Sequence, residues 1–531
     1  MLVDRNAEAF ASLREPLALS FDDFIRTSSD PRHRAGVERL WQRCADAGDL
    51  YRKHYEGLYC VGCEQFYIAD DLVEGRCPEH GTEPQLVAEE NWFFRLSRYA
   101  DVLLELISSN RLRIEPASHR NEILGLIAGG LHDFPVSRSQ SRARGWGIPV
   151  PGDPDQVVYV WWDALGNYVT SLGYGTSDAA FDQWWTHGGK RIHLAGKGVL
   201  RFHAVYWPAM LLSAGLPAPT DILVHDYLTV DGRKISKSSG TTVDPAALVA
   251  DVGTDAVRWW LLRDVPRVGD ADFTVDRLVD RADGDLSGGL GNLVNRVVTM
   301  IHRYRDGRLP SSGGTLVGAE RLVWVCADAP REIDVALDAF DFRRAATAVW
   351  TIVEEANRCI ESTRPWDLAK IEREGERITG ERLDGVLAAL LQACLFLADR
   401  LTPFLPGASA LITEQCTVVD GILPPGDPTV PTDRELIDRA AESAQGSPPG
   451  RTRRRPNPWA HGNGERGART PAAARARSAP GPSPRPRRAR DEEVLLTPGP
   501  MPSSPDSSPR PPNRRRRPAD RDPLPCRADR T

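Results

Sequence analysis

The 531 residues contain no run of roughly 20 apolar side chains, the length a helix needs to cross a bilayer. A transmembrane helix is therefore not expected. Met1 to Pro16 carries three acidic residues and no apolar h-region, so a secretory signal peptide is not expected either. Cysteine is sparse. The nine present are scattered except for one cluster, which argues for a reducing cytoplasm and a metal site rather than disulfides. Lysine is absent from Ser447 to Thr531, where 20 arginines face 8 acidic residues. That stretch is net +12, so within the overall charge of −6 residues 1–446 carry −18. An acidic body does not exclude an RNA partner, because binding needs only a local basic surface. The stretch from about Pro424 is rich in Pro, Arg, Gly, Ala and Ser, a composition expected to stay disordered. Its lack of lysine fits an out-of-frame reading of a GC-rich gene. A nonspecific RNA-binding tail and a plain spacer are the alternatives.

Hydrophobic residues make up 41% of the chain, enough for ordinary globular cores, and the length allows several domains. Asp4 to Phe24 reads as a short helix and a turn. Asp30 is a natural N-cap with Pro31 at the first helical position, and Val37, Leu40, Trp41 and Cys44 then share one helical face. Asn91 to Leu112 reads as helix. Val157 to Trp162, β-branched and aromatic, reads as a buried strand. Ile192 to Gly198 reads as strand then glycine turn. Phe202 to Leu212 reads as a helix kinked at Pro208, and Ile222 to Val224 as another strand. Strand, turn, helix, strand is the grammar of a parallel α/β sheet, whose ligands bind beyond the strands' carboxyl ends. After Asp276 three apolar stripes predict a helix bundle that stops near Pro403 and Pro406. They are Leu290, Leu293, Val294, Val297 and Ile301; Phe342 to Ile360; and Leu387 to Leu397.

Two segments carry chemistry. The first has the spacing Cys60-x2-Cys63-x13-Cys77-x2-His80. Two ligand pairs, each set by a tight turn, can surround a tetrahedral Zn2+. Four protein ligands leave no open position, so the metal would be structural. The second runs from Asp231 to Gly240 and holds Lys234-Ile235-Ser236-Lys237-Ser238 between glycines. Short polar residues and glycine favour an exposed loop, and two ammonium groups three apart suit a polyphosphate. A solvated basic turn is the plainer reading of such a segment.

The lysine segment resembles the signature loop of class I aminoacyl-tRNA synthetases. An ordered series of further motifs, over residues 1 to about 420, resembles the methionyl-tRNA synthetase family. Gly57 to Cys63 with Cys77 to His80 looks like that family's single zinc knuckle. Tyr159 to Tyr168 looks like its methionine wall, and Gly196 to Val199 with Phe202-His203 like its second pocket segment. Leu290 to Arg296 and Arg364-Pro365-Trp366 match its anticodon-reading helices.

The resemblance implies ATP-dependent activation of methionine to methionyl-adenylate, with ATP as its Mg2+ complex, and transfer to tRNA(Met), initiator tRNA included. It implies Lys234 and Lys237 as catalytic cations, with Ile235, Ser236, Ser238 and Gly196 also at ATP. Phe134, Trp161, Ala164, Tyr168, Val199 and His203 would form the methionine pocket. Asn292 and Arg296, at i and i+4, and Trp366 would read the anticodon. Taken alone, Trp161 and Tyr168 read as core, His203 as a satisfied core histidine, and Trp366 as a helix-end anchor.

The expected fold is an incomplete Rossmann-like parallel sheet with an inserted zinc-knuckle connective domain, an α-helical anticodon bundle and a disordered tail. The expected divisions are 1–30, a remnant of the first catalytic half; 31–157, connective; 158–220, second catalytic half; 221–285, stem contact; 286–423, bundle; and 424–531, tail. A cytoplasmic monomer is favoured. Three departures from the family stand out. No His-x-Gly-His occurs, so the first strand and its ATP loop are expected to be missing and sheet edges to be exposed. Gly198 stands where the family has an aspartate. Asp226 stands where it has a glycine, with strain expected if φ is positive there.

Overall fold

The structure is a computed structural model that describes residues 2–62, 65–67, 72–78, 81–235, 243–311, 314–419 and 421–424. Helix α1 (Leu2–Ala11) leads through turns into α2 (Pro31–Asp46). Asp30 caps α2 as expected, its side chain accepting the Arg32 N–H, and Val37, Leu40, Trp41 and Cys44 are all buried. A long hairpin follows. β1 (Leu50–Cys60) pairs antiparallel with β3 (Gln85–Phe94) from Leu50↔Phe94 to Tyr59↔Gln85, and short β2 (Gln65–Tyr67) lies on β1's other side. The helix expected from Asn91 is therefore a strand up to Phe94. Asn91-Trp92-Phe93-Phe94 continues the β1 register, and helix α3 (Ala100–Ser108) begins only after a turn.

β4 (Arg113–Glu115) and α4 (Ala117–Ala128) come next. β5 (Phe134–Pro135) extends the first sheet beside β3. β6 (Ser137–Ser139), short α5 (Gln140–Ala143), β7 (Pro149–Val150) and β8 (Asp153–Val158) give a second antiparallel sheet, ordered β6-β8-β7. β8 stops at Val158. The expected strand through Trp162 is corrected here, because Tyr159 is extended and α6 (Val160–Thr170) starts at once. A short apolar run has no periodicity to separate strand from buried helix, and Trp162 is buried in either.

After α7 (Asp178–Phe181), β9 (Ile192–Gly196) and β10 (Asp221–His225) pair in parallel, and β10 also pairs in parallel with β4. The order is β4-β10-β9, which leaves β9 at an edge among the described residues, with Leu194 65% exposed. Between β9 and β10 a widened turn at Phe202–Tyr206 runs into α8 (Trp207–Ser213). The helical backbone is continuous from Phe202 to Ser213, so Pro208 lies inside the expected helix, and the widened turn just before it accommodates the missing N–H. α2, α6, α8, β4 and β10 share one hydrophobic core. The same core reaches into the antiparallel layers, taking in Phe94 of β3, Phe134 of β5 and Val158 of β8 beside Leu40 of α2 and Ile114 of β4.

β11 (Leu228–Val230), β12 (Arg233–Lys234) and β13 (Ala271–Asp272) form a small sheet, with α9 (Pro245–Val252) and α10 (Thr254–Arg263) between β12 and β13. α11 (Val275–Arg281) and a wide turn at Ala282–Gly291 lead into α12 (Asn292–Arg305). α13 (Glu320–Asp338), α14 (Phe342–Thr363), α15 (Pro365–Arg373) and α16 (Arg377–Leu401) follow. The helices run on past Pro403: α17 (Pro406–Cys416) uses Pro406 as its opening residue, a favoured place for proline. One core joins Val252 to Leu423, so α9–α11 and the later helices are packed as a unit. Arg258 on α10 adds a four-way tie, donating to the carbonyls of Leu17, Ala18, Pro403 and Phe404.

Candidate active site

Two loops leave the carboxyl ends of the adjacent parallel strands β9 and β10, where α/β sheets hold ligands. After β9, the turn Lys197–Val199 faces α6. Trp161, Ala164 and Tyr168 lie at i, i+3 and i+7 of α6, on one face, and all three are half-buried. Trp161 stacks on Phe202 at 4.0 Å, Phe202 meets Tyr206 edge-on at 5.3 Å, and Tyr206 stacks on Phe134 at 4.1 Å. Phe134 is thus two rings removed from Trp161.

The polar atoms here are fixed by pairing. His203 Nδ1 lies 2.9 Å from the Val199 carbonyl, which can only accept, so Nδ1 carries the proton. His203 Nε2 must then accept from the Tyr168 hydroxyl at 2.8 Å. Burial lowers the His203 pKa and raises that of Tyr168, so both are neutral at pH 7. His193, 4.0 Å from the Tyr168 ring, is pushed down to about 3 by burial first and by His203 second, and it accepts from Trp207 Nε1 at 3.3 Å. Tyr168, Val199 and His203 therefore come together as an uncharged wall, which Trp161 joins through its stack on Phe202. His193 and Tyr206 also line it and were not among the expected pocket residues, whereas Phe202 stands in the expected second pocket segment. Hydrophobic alternation in Ile192–Ala195 would turn Ile192 and Leu194 inward, but both are exposed and His193 and Ala195 are buried, so the residues carried no signal for His193.

The second loop is of opposite character. Asp226, which follows β10, accepts from the Gly269 N–H at 2.6 Å and lies 3.5 Å from Lys197 Nζ and 3.4 Å from His119 Nε2. Asp226 is not in the left-handed region, so the strain anticipated there is absent; Asp231 (φ 53°) and Gly232 (φ 68°) make the tight turn instead. Lys197 also pairs with Asp270 at 2.6 Å, which raises its pKa and keeps it protonated. Gly196 closes β9, and a Cβ there would meet His225 at 3.4 Å, an ordinary contact. Gly198 is exposed. The Asp231–Gly232 turn joins β11 to β12, placing the Lys234 backbone opposite Thr229 and half-buried Ile235 after it. Ser236, Lys237 and Ser238 lie outside the described residues.

On the helices, exposed Asn292 and half-buried Arg296 share α12, and Arg296 Nη1 donates to Asn357 Oδ1 at 3.3 Å. Asn357 lines a recess of about 360 Å³ with Trp350 and Glu354. Trp366 lies in the first turn of α15, is 40% exposed, and has the Arg364 guanidinium 6.0 Å from its ring. It sits on a different helix from the other two. At the knuckle, Cys60 and Cys77 are buried together with Tyr67 in a small core of their own. Cys77 Sγ donates to Tyr67 Oη at 3.5 Å, and Cys60 Sγ lies 3.7 Å from Thr82 Oγ1. Cys63 and His80 lie outside the described residues, and among the described ones no three His, Cys, Asp or Glu side chains cluster as metal ligands.

A family model described as tRNA synthetases class I (M) matches residues 1–86 and 79–298. The chain belongs to the class I methionyl-tRNA synthetase family. Among its relatives, the methionine–tRNA ligase of Caldanaerobacter subterraneus subsp. tengcongensis is 40% identical over 421 residues, covering 79% of this chain. That of Clostridium perfringens is 38% identical over 415 residues, 78% of this chain. The chain spans 64% and 62% of the length of these two relatives, less than two thirds. The crystal structure of Mycobacterium tuberculosis methionyl-tRNA synthetase bound by methionyl-adenylate has a TM-score of 0.74 at 34% identity, covering 80% of this chain and 86% of that one. The family match takes in both strand-end loops and the start of α12.

Proposed function

We propose that this chain is a methionine–tRNA ligase, activating methionine with ATP and passing it to tRNA(Met). One observation carries the reading. An uncharged aromatic wall and the root of a doubly cationic loop leave neighbouring ends of β9 and β10. Methionine's side chain is neutral and polarisable and suits ring faces and neutral imidazole. ATP's β,γ-phosphates gain negative charge as the carboxylate attacks the α-phosphate, and lysines stabilise that charge. Trp161, Ala164, Tyr168, Val199 and His203 take the methionine side chain, with Phe134 behind Tyr206. Lys237 makes the stronger transition-state contact and Lys234 assists; Gly196 and Ile235, Ser236 and Ser238 border the ATP, which comes with Mg2+.

Asn292, Arg296 and Trp366 read the anticodon of tRNA(Met). The region assignments follow: knuckle strands as the connective insertion, the parallel sheet as the catalytic half, β11–α11 as stem contact, and α12–α17 as the anticodon bundle. Cys60, Cys63, Cys77 and His80 hold one structural Zn2+. Two thiols buried in a core of their own fit that donor set. The enzyme works in the cytoplasm. The test is methionine-dependent ATP–pyrophosphate exchange by the full chain, expected to be measurable and saturable in methionine.

A second reading, tRNA binding without methionine activation, is favoured by the open sheet edge. Parallel strands are usually covered on both faces, yet Leu194 on β9 is largely exposed. Discrimination between tRNA anticodons without any pyrophosphate exchange would select it.

A further inference from the structure

The hairpin that leads into the lysine loop is held from outside its own ladder. Among the described residues β11 and β12 pair through Thr229↔Lys234 and Val230↔Arg233, with one long hydrogen bond beyond them from the Ile235 N–H to the Leu228 carbonyl at 3.5 Å. So short a hairpin is not stable alone in water. Its turn also places Asp231, a non-glycine residue, in the left-handed region next to Gly232. Support comes from β13, where Asp272 lies opposite Thr229 in parallel register. Asp272 Oδ1 accepts from Thr229 Oγ1 at 2.7 Å and from the Gly232 N–H at 2.8 Å. The Phe273 N–H donates to the Thr229 carbonyl at 2.8 Å, and Arg277 Nη1 donates to the Asp272 carbonyl at 2.9 Å. One carboxylate oxygen thus ties strand and turn together. The Gly232 and Thr229 hydrogen bonds, with Arg277 nearby, hold the Asp272 carboxyl below the usual carboxylate range, so the tie persists at neutral pH.

We propose that Asp272 is a positioning residue for methionine activation: its carboxylate fixes the Asp231–Gly232 turn, and with it the strand that delivers Lys234 to the nucleotide's phosphates. This rests on the phosphate-binding reading of the lysine loop. Asp272 acts through the hairpin and touches no reacting atom. Removing it frees both donors at once, so the strand loses its aim while the pocket after β9 keeps its packing.

The experiment compares the full chain with Asp272→Ala, Asp272→Asn, Thr229→Val and the Thr229→Val/Asp272→Ala double variant. Two readouts are taken: amide hydrogen exchange at residues 229–235, and kcat and KM for methionine in pyrophosphate exchange. Asp272→Ala is expected to speed exchange at the Gly232 amide roughly tenfold and to lower kcat about tenfold, with methionine KM within about twofold. Asp272→Asn, whose amide oxygen accepts the same two hydrogen bonds, is expected to stay within about threefold of the parent chain on both readouts. The double variant is expected to lose no more than Asp272→Ala, because the two residues act as one unit. Unchanged Gly232 protection in Asp272→Ala overturns the proposal, as does a methionine KM that rises in step with the fall in kcat. If the parent chain shows no pyrophosphate exchange, the ligase reading and this activation role fall together. The amide readout then still decides the hairpin tie itself, with protection lost in Asp272→Ala and kept in Asp272→Asn upholding it.

Discussion

The loops after β9 and β10 sit on neighbouring strand ends and are built in opposite ways. The β9 side is held by ring faces, and its two histidines and one tyrosine are neutral at pH 7. The β10 side is held by carboxylates: Asp226 and Asp270 reach across to Lys197 at the root of the β9 loop, and Asp272 holds the hairpin turn. A neutral wall selects a neutral side chain by shape and dispersion. A charged, hydrogen-bonded hairpin delivers cations to phosphate. The difference teaches that binding and activation can be separated here by mutation: damage to the wall should appear in methionine KM, and damage to the loop in the rate.

The most severe break is Lys237→Ala, expected to lower kcat for pyrophosphate exchange by roughly 10²- to 10³-fold with methionine KM nearly unchanged. Steady-state kinetics check this, and an equal rise in KM would erase the contrast. Next is Trp161→Ala, which removes the ring stacked on Phe202. Methionine KM should rise about 30-fold while ATP KM holds, as expected for loss of roughly 2 kcal/mol of aromatic contact.

Gly289→Ala probes the helices alone. A Cβ there would lie 2.7 Å from Trp350 Cζ2, so a loss of about 1–3 kcal/mol is expected, read as a lower Tm with unchanged methionine KM. The pH dependence of stability sharpens the neutral side of the comparison. The folded pKa of His193 is about 3, below the ordinary histidine value near 6.5. In the folded state the ring resists protonation that the unfolded chain accepts, so stability is full above about pH 6.5 and falls as pH drops toward 3. Between pH 7 and pH 5 the loss should be about 2 kcal/mol, and His193→Gln should flatten it in urea titrations. The smallest effect is expected for Tyr168→Phe. It leaves His203 Nε2 without its donor and should raise methionine KM about fivefold.

Much of this was legible in the residues. Asp30-Pro31 announced the start of α2 because cap and first-turn chemistry are local. The stripes at Leu290–Ile301 and Leu387–Leu397 announced buried helix faces, because a period of 3.6 survives any tertiary setting. Three residues implied by the resemblance, Tyr168, Val199 and His203, stand together, and a fourth, Trp161, stacks on the neighbouring Phe202. What was not legible depended on partners distant in sequence. Asn91–Phe94 is a strand because β1 supplies its ladder. Three-residue β4 joins the parallel sheet only because β10 is there to receive it. α17 follows Pro406, which reads equally well as a stop or a start. Asp272 matters because Thr229 and Gly232, about 40 residues away, converge on one oxygen.

The most direct test of the division of labour is a side-by-side measurement of kcat and methionine KM for Trp161→Ala and Lys237→Ala in pyrophosphate exchange. The account predicts that the first variant changes mainly KM and the second mainly kcat. Both variants shifting the same parameter, or a parent chain with no methionine-dependent exchange, would contradict it.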